Sequence, residues 1–563
     1  MNNDNSETSR FIEQAEYLPP DDFLAFSISH PREEEIVRKL ISGGAKLLVG
    51  PRGCGKTTLM LKAFNEMLRN KSDSTLPIYV NFKLSLKLEP LYKTTANASF
   101  WFRSWLVLKI FEALHDVLIK LGHPEATMFL PGLDEITMSL IAIESGDPSA
   151  LDESVDFEIN ELIEQVHLIL TRLALKRCVL LLDDAAHAFS PKQQEDFFDF
   201  FRQLRGQRIA TKAAIYPGIT SLSPNFHIGH DAEKIDVWIR PDDERYEEFM
   251  RGVAQQRFGG QLPESLANDK LAQSFLAFAS FGIPRSLLNM LRFLENDLEK
   301  SGTSLDRRKL LDAVKISRDN SHAVYDALVF KLPTYRKFIE TGDEIYSKLI
   351  ESLKEFNRNR TGKSHGIEIG LKRPFPPELS KLVGFFQYAG LIMESGENSR
   401  GIKGVFDIYF IHFADLITEN AVVGLRTKSI ERFVEAFKSS RHQAWPRVSA
   451  EKLIQTKDYA TAFPLSLPSC RQCGEPRGSE NAKFCSNCGA ELQSASIYHS
   501  LVNQDISVLP ITRDRARNIK KNCNISTIKD LLMDATNEEL RSVPQIGPKW
   551  AERIFRYAEE YVA

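Results

Sequence analysis

The chain has no large excess of either charge, no long apolar run and few cysteines, and each absence removes a class of protein. A net charge of −3 over 563 residues rules out a polycation, so any contact with nucleic acid has to come from local patches. No stretch approaches eighteen uninterrupted apolar residues, which excludes a conventional membrane-spanning helix. The opening MNNDNSETSR lacks the basic-then-apolar layout of a secretory signal, so a cytoplasmic protein without membrane contact is expected. Seven cysteines, four of them in two tight pairs, suit metal ligation in a reducing compartment better than a disulfide framework. No nuclease, protease or helicase-motor signature is recognisable. What remains, at 43% hydrophobic and 26% charged residues, is a core-forming chain long enough for roughly three to five domains.

The clearest motif is LLVGPRGCGKTTLM, Leu47 to Met60. Gly50, Pro51, Arg52, Gly53, Cys54, Gly55, Lys56 and Thr57 fit G-x-x-x-x-G-K-[ST], with Thr58 next to them. An apolar strand (KLLV) precedes the loop, and helical spacing of Leu59, Leu61, Phe64 and Leu68 follows it. Glycines let backbone N–H groups close around phosphates, and the helix start adds its dipole. ATP is the expected ligand, with Lys56 reaching its β- and γ-phosphates and the Thr57 hydroxyl on Mg²⁺. The second requirement is an acidic strand end, supplied by RCVLLLDDAAHAF. Asp183 is the expected Mg²⁺-side carboxylate, and Asp184 stands where a carboxylate would polarise the attacking water. Aspartate is a methylene shorter than glutamate there, so slow ATP hydrolysis is expected.

In this order, HPREEEI (His30–Ile36), the phosphate loop, LLLDDAAHAF, AAIYPGITS (Ala213–Ser221) and FGIPRSLLNML (Phe281–Leu291) resemble AAA+ ATPases of the origin-recognition type. The resemblance is nearest to bacterial members encoded among mobile-element and phage-defence genes. It implies that His30–Ile36 lies against the adenine and that Thr220 or Ser221 senses the γ-phosphate. It further implies that Arg285 reaches over from a helical lid. The finger a homo-oligomer would supply to a neighbouring subunit is not marked. Arg240 is a candidate, although a solvated strand-end arginine reads better, and Arg202, Arg205 and Arg208 are equally open. SFWFRSWLVLKIFEALHDVLIKLG reads as a long, largely buried helix without an assigned function.

Downstream, two helix patterns (Glu344–Asn359, Pro376–Ile392) and a strand–tip–strand pattern (Leu391–His412) have the layout of a winged helix. Arg358, Arg360, Lys363 and Lys372 fall in its loop and Arg400 and Lys403 at its tip, for DNA phosphates or as a solvated face. Cys470-x2-Cys473-x11-Cys485-x2-Cys488, each second cysteine followed by glycine, offers four thiolates to one structural Zn²⁺ with no position left for water. It resembles a zinc ribbon. The last sixty residues resemble the helix-hairpin-helix domain that ends the bacterial RNA polymerase α subunit, with Gly547 expected at the hairpin turn. Arg513, Arg515, Arg517, Lys520 and Lys521, with Gly547 and Lys549, form the expected nucleic-acid footprint. Asp514 falls where that family reads the groove with arginine, so general phosphate contact is expected rather than sequence readout.

The resulting expectation is an α/β protein: an AAA+ core (1–240), helical lid (241–300), winged-helix-like domain (301–445), linker (446–469), zinc ribbon (470–492) and small all-α helix-hairpin-helix domain (505–563). It would act as an ATP-dependent switch that binds double-stranded DNA and signals to an effector partner, with phage defence as the setting implied by the resemblance. The alternative is a nucleotide-controlled scaffold that docks an effector without binding DNA.

Overall fold

The computed structural model describes residue 23 and residues 30–562, apart from 71–73, 95–96, 147–156, 185–189, 258–261, 302–303, 361–364, 423–428, 439–443, 456–457, 468, 471, 478–481, 483, 491 and 493–495. Lys363 and the AAHAF segment after Asp184 lie outside the described residues.

Parallel strands β1 (Lys46–Val49), β2 (Thr75–Asn81), β3 (Arg177–Asp183), β4 (Ile209–Ile215) and β5 (Glu233–Asp236) form one sheet in the order β2-β3-β4-β1-β5. The near-continuous apolar run of β3 follows from burial on both faces, and its side chains divide with the strand period of two. Val179 and Leu181 pack with α1 (Glu33–Ile41) and α2 (Lys56–Arg69). Cys178, Leu180 and Leu182 join the opposite core, built on α3 (Ala98–Lys120). That helix is the long buried one expected from the sequence. Because β4 lies between β1 and β3, the phosphate loop and the Asp183 strand end emerge at the same sheet edge, two strand spacings or about 10 Å apart.

Helices α4 (Tyr246–Arg257), α5 (Lys270–Ala279) and α6 (Pro284–Ser301), the expected lid, do not have a core to themselves. Phe275, Phe278, Leu287 and Met290 belong to one apolar cluster with Leu349, Phe386, Phe413 and Phe437. These helices and the following domain therefore form one packed unit. That unit contains α7 (Arg336–Arg358), α8 (Pro377–Ala389) and a second sheet in the order β7-β8-β6-β9. Its strands are β6 (Glu368–Lys372), β7 (Ile392–Ser399), β8 (Val405–Ile411) and β9 (Arg447–Val448).

The hairpin expected over Leu391–His412 is observed as β7 and β8. The basic loop expected before α8 is in part a strand, β6, which pairs with β8 and β9. The stretch 446–469 is not a linker over most of its length. It contributes β9, and Val448, Ala450, Leu453 and Phe463 are buried in the common core. Short apolar stretches that find their partners 34 or more residues away leave no periodic trace in the sequence.

The nucleotide-binding core and this unit meet at two glycines. A Cβ on Gly218 (φ 73°) would lie 2.1 Å from the carbonyl carbon and oxygen of Gly384 on α8, so only glycine allows the backbones this close.

At the C-terminus, helices 497–502, α9 (Arg513–Asn522), 528–533, 538–542 and α10 (Pro548–Val562) pack around Leu501, Ile519, Leu531, Leu540 and Ile554. Thr527 and Asp530 close a reciprocal capping box on the third of these helices. This small core also takes in Leu86 from the segment after β2, with Leu84 and Phe330 packed against it. Among the described residues, no helix is long and apolar enough to cross a membrane.

Candidate nucleotide site and basic surfaces

Gly53 (φ 84°) and Gly55 (φ 99°) supply the left-handed backbone that the phosphate loop needs, and Gly55 serves as N-cap of α2 without a side-chain cap. A Cβ on Gly50 would lie 2.6 Å from the sulfur of buried Cys54, so that cysteine fills the inside of the loop. Lys56 is buried, and its Nζ donates to the carbonyls of Gly50 (2.8 Å) and Pro51 (3.0 Å). The same ammonium stands 3.7 Å from the Tyr216 ring centre, a cation–π contact. Burial lowers its pKa, against the pull of nearby Asp184 and Asp183.

The acidic pair is held from two sides. Asp183 is fully buried and accepts from the Tyr79 hydroxyl at 3.0 Å and from the Asp184 amide at 3.1 Å. Asp184 has φ 53°, and its Oδ1 accepts from the Tyr216 hydroxyl at 2.6 Å. Tyr216 thus joins lysine to acid, and its own pKa is pushed well up by burial and by Asp184. The hydroxyl of Thr220 donates to the Tyr216 carbonyl (2.8 Å) and accepts from its amide (3.1 Å). It is therefore committed to its own turn. Ser221 donates its amide to Gln194. The side chain that faces Lys56 and Asp184 from this strand end is Tyr216.

Arg285 enters from the first turn of α6. Phe281 (φ 55°) and Gly282 (φ 73°) make two successive left-handed residues, and Pro284 then starts α6 with a ring suited to a first helical turn. The turn is pinned by the Trp238 indole N–H donating to the Phe281 carbonyl (2.9 Å) and by the Gly282 amide donating to the Tyr246 hydroxyl (2.7 Å). A Cβ on Gly53 would lie 3.0 Å from the Arg285 Cβ. Arg285 is thus packed directly on the Gly50–Thr57 loop.

Besides Tyr216, three residues at this site carry no local sequence signature: Glu560, Tyr388 and Lys331. Arg52 and Arg285 both bind the carboxylate of Glu560, at 3.2 and 2.5 Å. Tyr388 lies beside Arg52, with its ring 5.8 Å from that of Tyr216. Lys331 is buried within electrostatic reach of Arg52, Glu560 and Asp184, and burial pulls its pKa well down.

On the other side of the loop, a cleft of about 540 Å³ is bordered by His30, Val49, Gly50, Trp238, Arg240 and Ser395. His30 Nε2 donates to the Val237 carbonyl (3.1 Å) while Nδ1 accepts from the Arg32 amide (3.1 Å), which fixes a neutral tautomer. Burial lowers its pKa to about 4. Arg240 turns inward, pairing with Asp242 (2.8 Å) and donating to the Ser395 carbonyl (2.5 Å) on β7. That removes it as a finger for another subunit. Arg205 donates to the Asp231 carbonyl and Arg208 to that of Leu175, which leaves Arg202 as the exposed candidate.

The four cysteines Cys470, Cys473, Cys485 and Cys488 converge, with all sulfurs within 4.8 Å of one another. Tetrahedral zinc thiolate geometry places sulfurs about 3.8 Å apart. Gly474 (φ 75°) and Gly489 (φ 72°) are left-handed and return their amides to the carbonyls of Cys470 and Cys485, as the trailing glycines imply. The donor set fits one metal ion, and zinc above others for its softness and number of ligands.

The C-terminal basic residues are less free than their count suggests. Arg513 and Lys521 are exposed, as are Gly547 and Lys549 at the start of α10. Arg515 stacks 3.6 Å over the Trp550 ring, Arg517 pairs with Asp514 (3.2 Å), and Lys520 pairs with Asp505. The tight turn of the hairpin is made by Gln545 (φ 67°) and not by Gly547, whose carbonyl instead opens α10 by accepting from Trp550 and Ala551. In the middle domain, Arg400 lies 5.3 Å over Trp445 and Arg358 pairs with Glu351.

No protein-family model matches the chain, and no curated protein matches it. Solved structures do. The Aeropyrum pernix ORC2 protein (ADPNP-ADP complexes) aligns over 74% of this chain and 96% of its own, at 9% identity and TM-score 0.33. The Aeropyrum pernix ORC1 protein in complex with DNA aligns over 73% and 95%, at 15% identity and TM-score 0.32. The Walker-type ATPase PABY2304 of Pyrococcus abyssi aligns over 69% and 97%, at 13% identity and TM-score 0.37. At these identities and TM-scores the likeness carries no argument, and the chemistry has to rest on the residues themselves.

Proposed function

We propose that this chain is an AAA+ nucleotide switch that binds ATP with Mg²⁺ and hydrolyses it slowly. The observation that carries the reading is the packing of Arg285 against Gly53, which sets a lid arginine on a phosphate loop whose lysine faces two strand-end carboxylates. Lys56, Arg52 and Arg285 would hold the phosphates, and Thr57 and Asp183 the Mg²⁺, which would draw charge off the phosphates when bound. Asp184, oriented by the Tyr216 hydroxyl, would hold the attacking water. The adenine would occupy the cleft beside His30, whose volume suits a small ligand. Because lid and following domain share a core, closing Arg285 onto a γ-phosphate would move the whole unit, so occupancy becomes shape.

The output side reads as DNA binding. The β6–α8–β7–β8 unit has winged-helix layout, the four cysteines form a zinc ribbon, and the C-terminal helices form a helix-hairpin-helix module whose exposed Arg513, Lys521 and Lys549 suit duplex phosphates. State would pass to an effector protein. A phage-defence setting rests on the sequence resemblance alone.

A second reading has its own observation. Arg515, Arg517 and Lys520 are all engaged within the module, which favours a protein-docking surface over a phosphate-binding one. Titration with ATP·Mg²⁺ and with a duplex at several salt concentrations separates the cases. The switch requires ATP binding that Lys56→Ala abolishes, together with duplex affinity that falls steeply with salt. ATP binding with no duplex binding leaves the scaffold. No ATP binding by the wild type defeats both.

A further inference from the structure

The carboxylate of Glu560, near the end of the last helix, is gripped by the two arginines that the nucleotide reading assigns to phosphates. Arg285 Nη1 donates to Glu560 Oε1 at 2.5 Å, and Arg52 Nη2 lies 3.2 Å from the same oxygen. Arg52 Nη2 also donates to the main-chain carbonyl of Glu560 at 3.1 Å. One carboxylate oxygen between two guanidinium groups, with Lys83 also within electrostatic reach, reproduces the charge and hydrogen-bond demand of a phosphate oxygen.

We propose that the C-terminal module is an internal anionic plug, with Glu560 and a γ-phosphate competing for Arg52 and Arg285. This rests on the nucleotide reading above and adds to it the element that regulates the site.

The contact is built into the docking of a whole module. Leu86 of the nucleotide-binding core is buried in the module's own apolar cluster, with Leu84 and Phe330 against it. The Ser496 hydroxyl donates to buried Glu89 at 2.5 Å. Leu84, Leu86 and Glu89 follow the end of β2, at the same sheet edge from which the phosphate loop emerges, and α10 has its C-terminal end at Arg52. Side chains of Arg285, Arg52 and Glu560 are each no more than a quarter exposed, so the triad is little screened by solvent.

Its chemistry makes it reversible. A single carboxylate satisfies two arginines well enough to hold them in the resting state. A triphosphate brings more negative charge and further oxygens for Lys56, and it takes Arg285 only by releasing Glu560. Binding at one place is then coupled to docking at the other, and the coupling is reciprocal. A partner that captures the module would open the nucleotide site, and a nucleotide would free the module. Lys549, at the other end of the same helix, lies about 17 Å from Glu560 at 1.5 Å per residue. Release would therefore change the position of the basic hairpin as a rigid consequence.

The test uses the full chain and a fluorescent ATP analogue with Mg²⁺. Glu560→Gln keeps size and helix propensity but removes the charge. It is expected to bind the analogue at least tenfold more tightly than wild type, equivalent to ~1.4 kcal/mol. In the wild type, ATP·Mg²⁺ is expected to accelerate hydrogen exchange of amides across residues 548–562, a readout that needs no variant. Equal affinities for wild type and Glu560→Gln, together with unchanged exchange in α10 and with Lys56→Ala abolishing binding in both, would overturn the plug and leave the nucleotide reading standing. Failure of both wild type and Glu560→Gln to bind the analogue would overturn both.

Discussion

Replacing Gly218 by alanine perturbs the hinge-side packing of the whole molecule. Its Cβ would sit 2.1 Å from the Gly384 carbonyl carbon and oxygen, where ordinary contact begins near 3.4 Å, and these are backbone atoms of α8 that cannot rotate away. The two units would have to separate by more than an ångström. Overpacking of this kind costs ~1–3 kcal/mol, and a non-glycine residue at φ 73° adds ~1–2 kcal/mol. A total of about 2–5 kcal/mol corresponds to a fall in melting temperature of roughly 5–15 °C for a unit of a few hundred residues. Differential scanning calorimetry of Gly218→Ala, Gly384→Ala and the double variant measures it. Gly384→Ala is expected to lose less, because alanine regains ~1 kcal/mol in a helix interior. The double variant should lose less than the sum, since one separation relieves both clashes. Since Tyr216 and Tyr388 flank this contact, ATP affinity should fall as well. A Gly218→Ala melting point within a degree of wild type would refute the packing of core against lid unit.

Three further outcomes are expected. His30, neutral in the fold with its pKa lowered to about 4, should contribute stability that is full above pH 6.5. That contribution is lost as pH falls from 6.5 toward 4, because the unfolded chain takes the proton first; His30→Gln should flatten that part of the stability–pH profile. Asp415, buried and accepting from Tyr346 (2.8 Å), His322 (2.9 Å) and Arg318 (3.0 Å), anchors the lid unit. Its replacement by asparagine should cost ~2–4 kcal/mol in chemical denaturation, since buried or half-buried partners lose their counter-charge, and an unchanged midpoint would remove it as an anchor. Each chain should carry one zinc ion by elemental analysis, and Cys473→Ser or a strong chelator should expose residues 470–492 to protease without moving the main melting transition. Loss of the whole fold on chelation would contradict an independent module.

What could be read from the sequence was whatever lies in one continuous segment. The loop from Gly50 to Thr57, the apolar strand ending at Asp183, the FGIPR turn that delivers Arg285 and the paired cysteines all carry their geometry in local spacing. The long helix at 98–120 and the β7–β8 hairpin were legible for the same reason. The missed features were assembled from distant segments. Glu560 meets Arg285 across 275 positions and Arg52 across 508, and nothing near Glu560 distinguishes it from Glu559. Tyr216 passes as a core residue until its hydroxyl is found on Asp184 and its ring under Lys56. Lys331 sits in a four-residue helix without a motif. The strands β6 and β9 are too short to show a period, and their pairing with distant strands decides them. Thr220, expected at a strand end, lies five residues beyond β4, and its hydroxyl closes its own turn, a choice that backbone geometry makes and spacing does not reveal.

The grip of a triphosphate between Lys56 and Arg285 is tested most directly by isothermal titration of ATP and ADP, each with Mg²⁺, into Arg285→Ala and its parent, both in the Glu560→Gln background so that the tail does not compete. Loss of charge-assisted hydrogen bonds worth ~1.5–3 kcal/mol should weaken ATP roughly 10- to 100-fold in Arg285→Ala while leaving ADP within about twofold. Equal losses for both nucleotides, or none for either, would contradict a lid arginine that recognises the third phosphate.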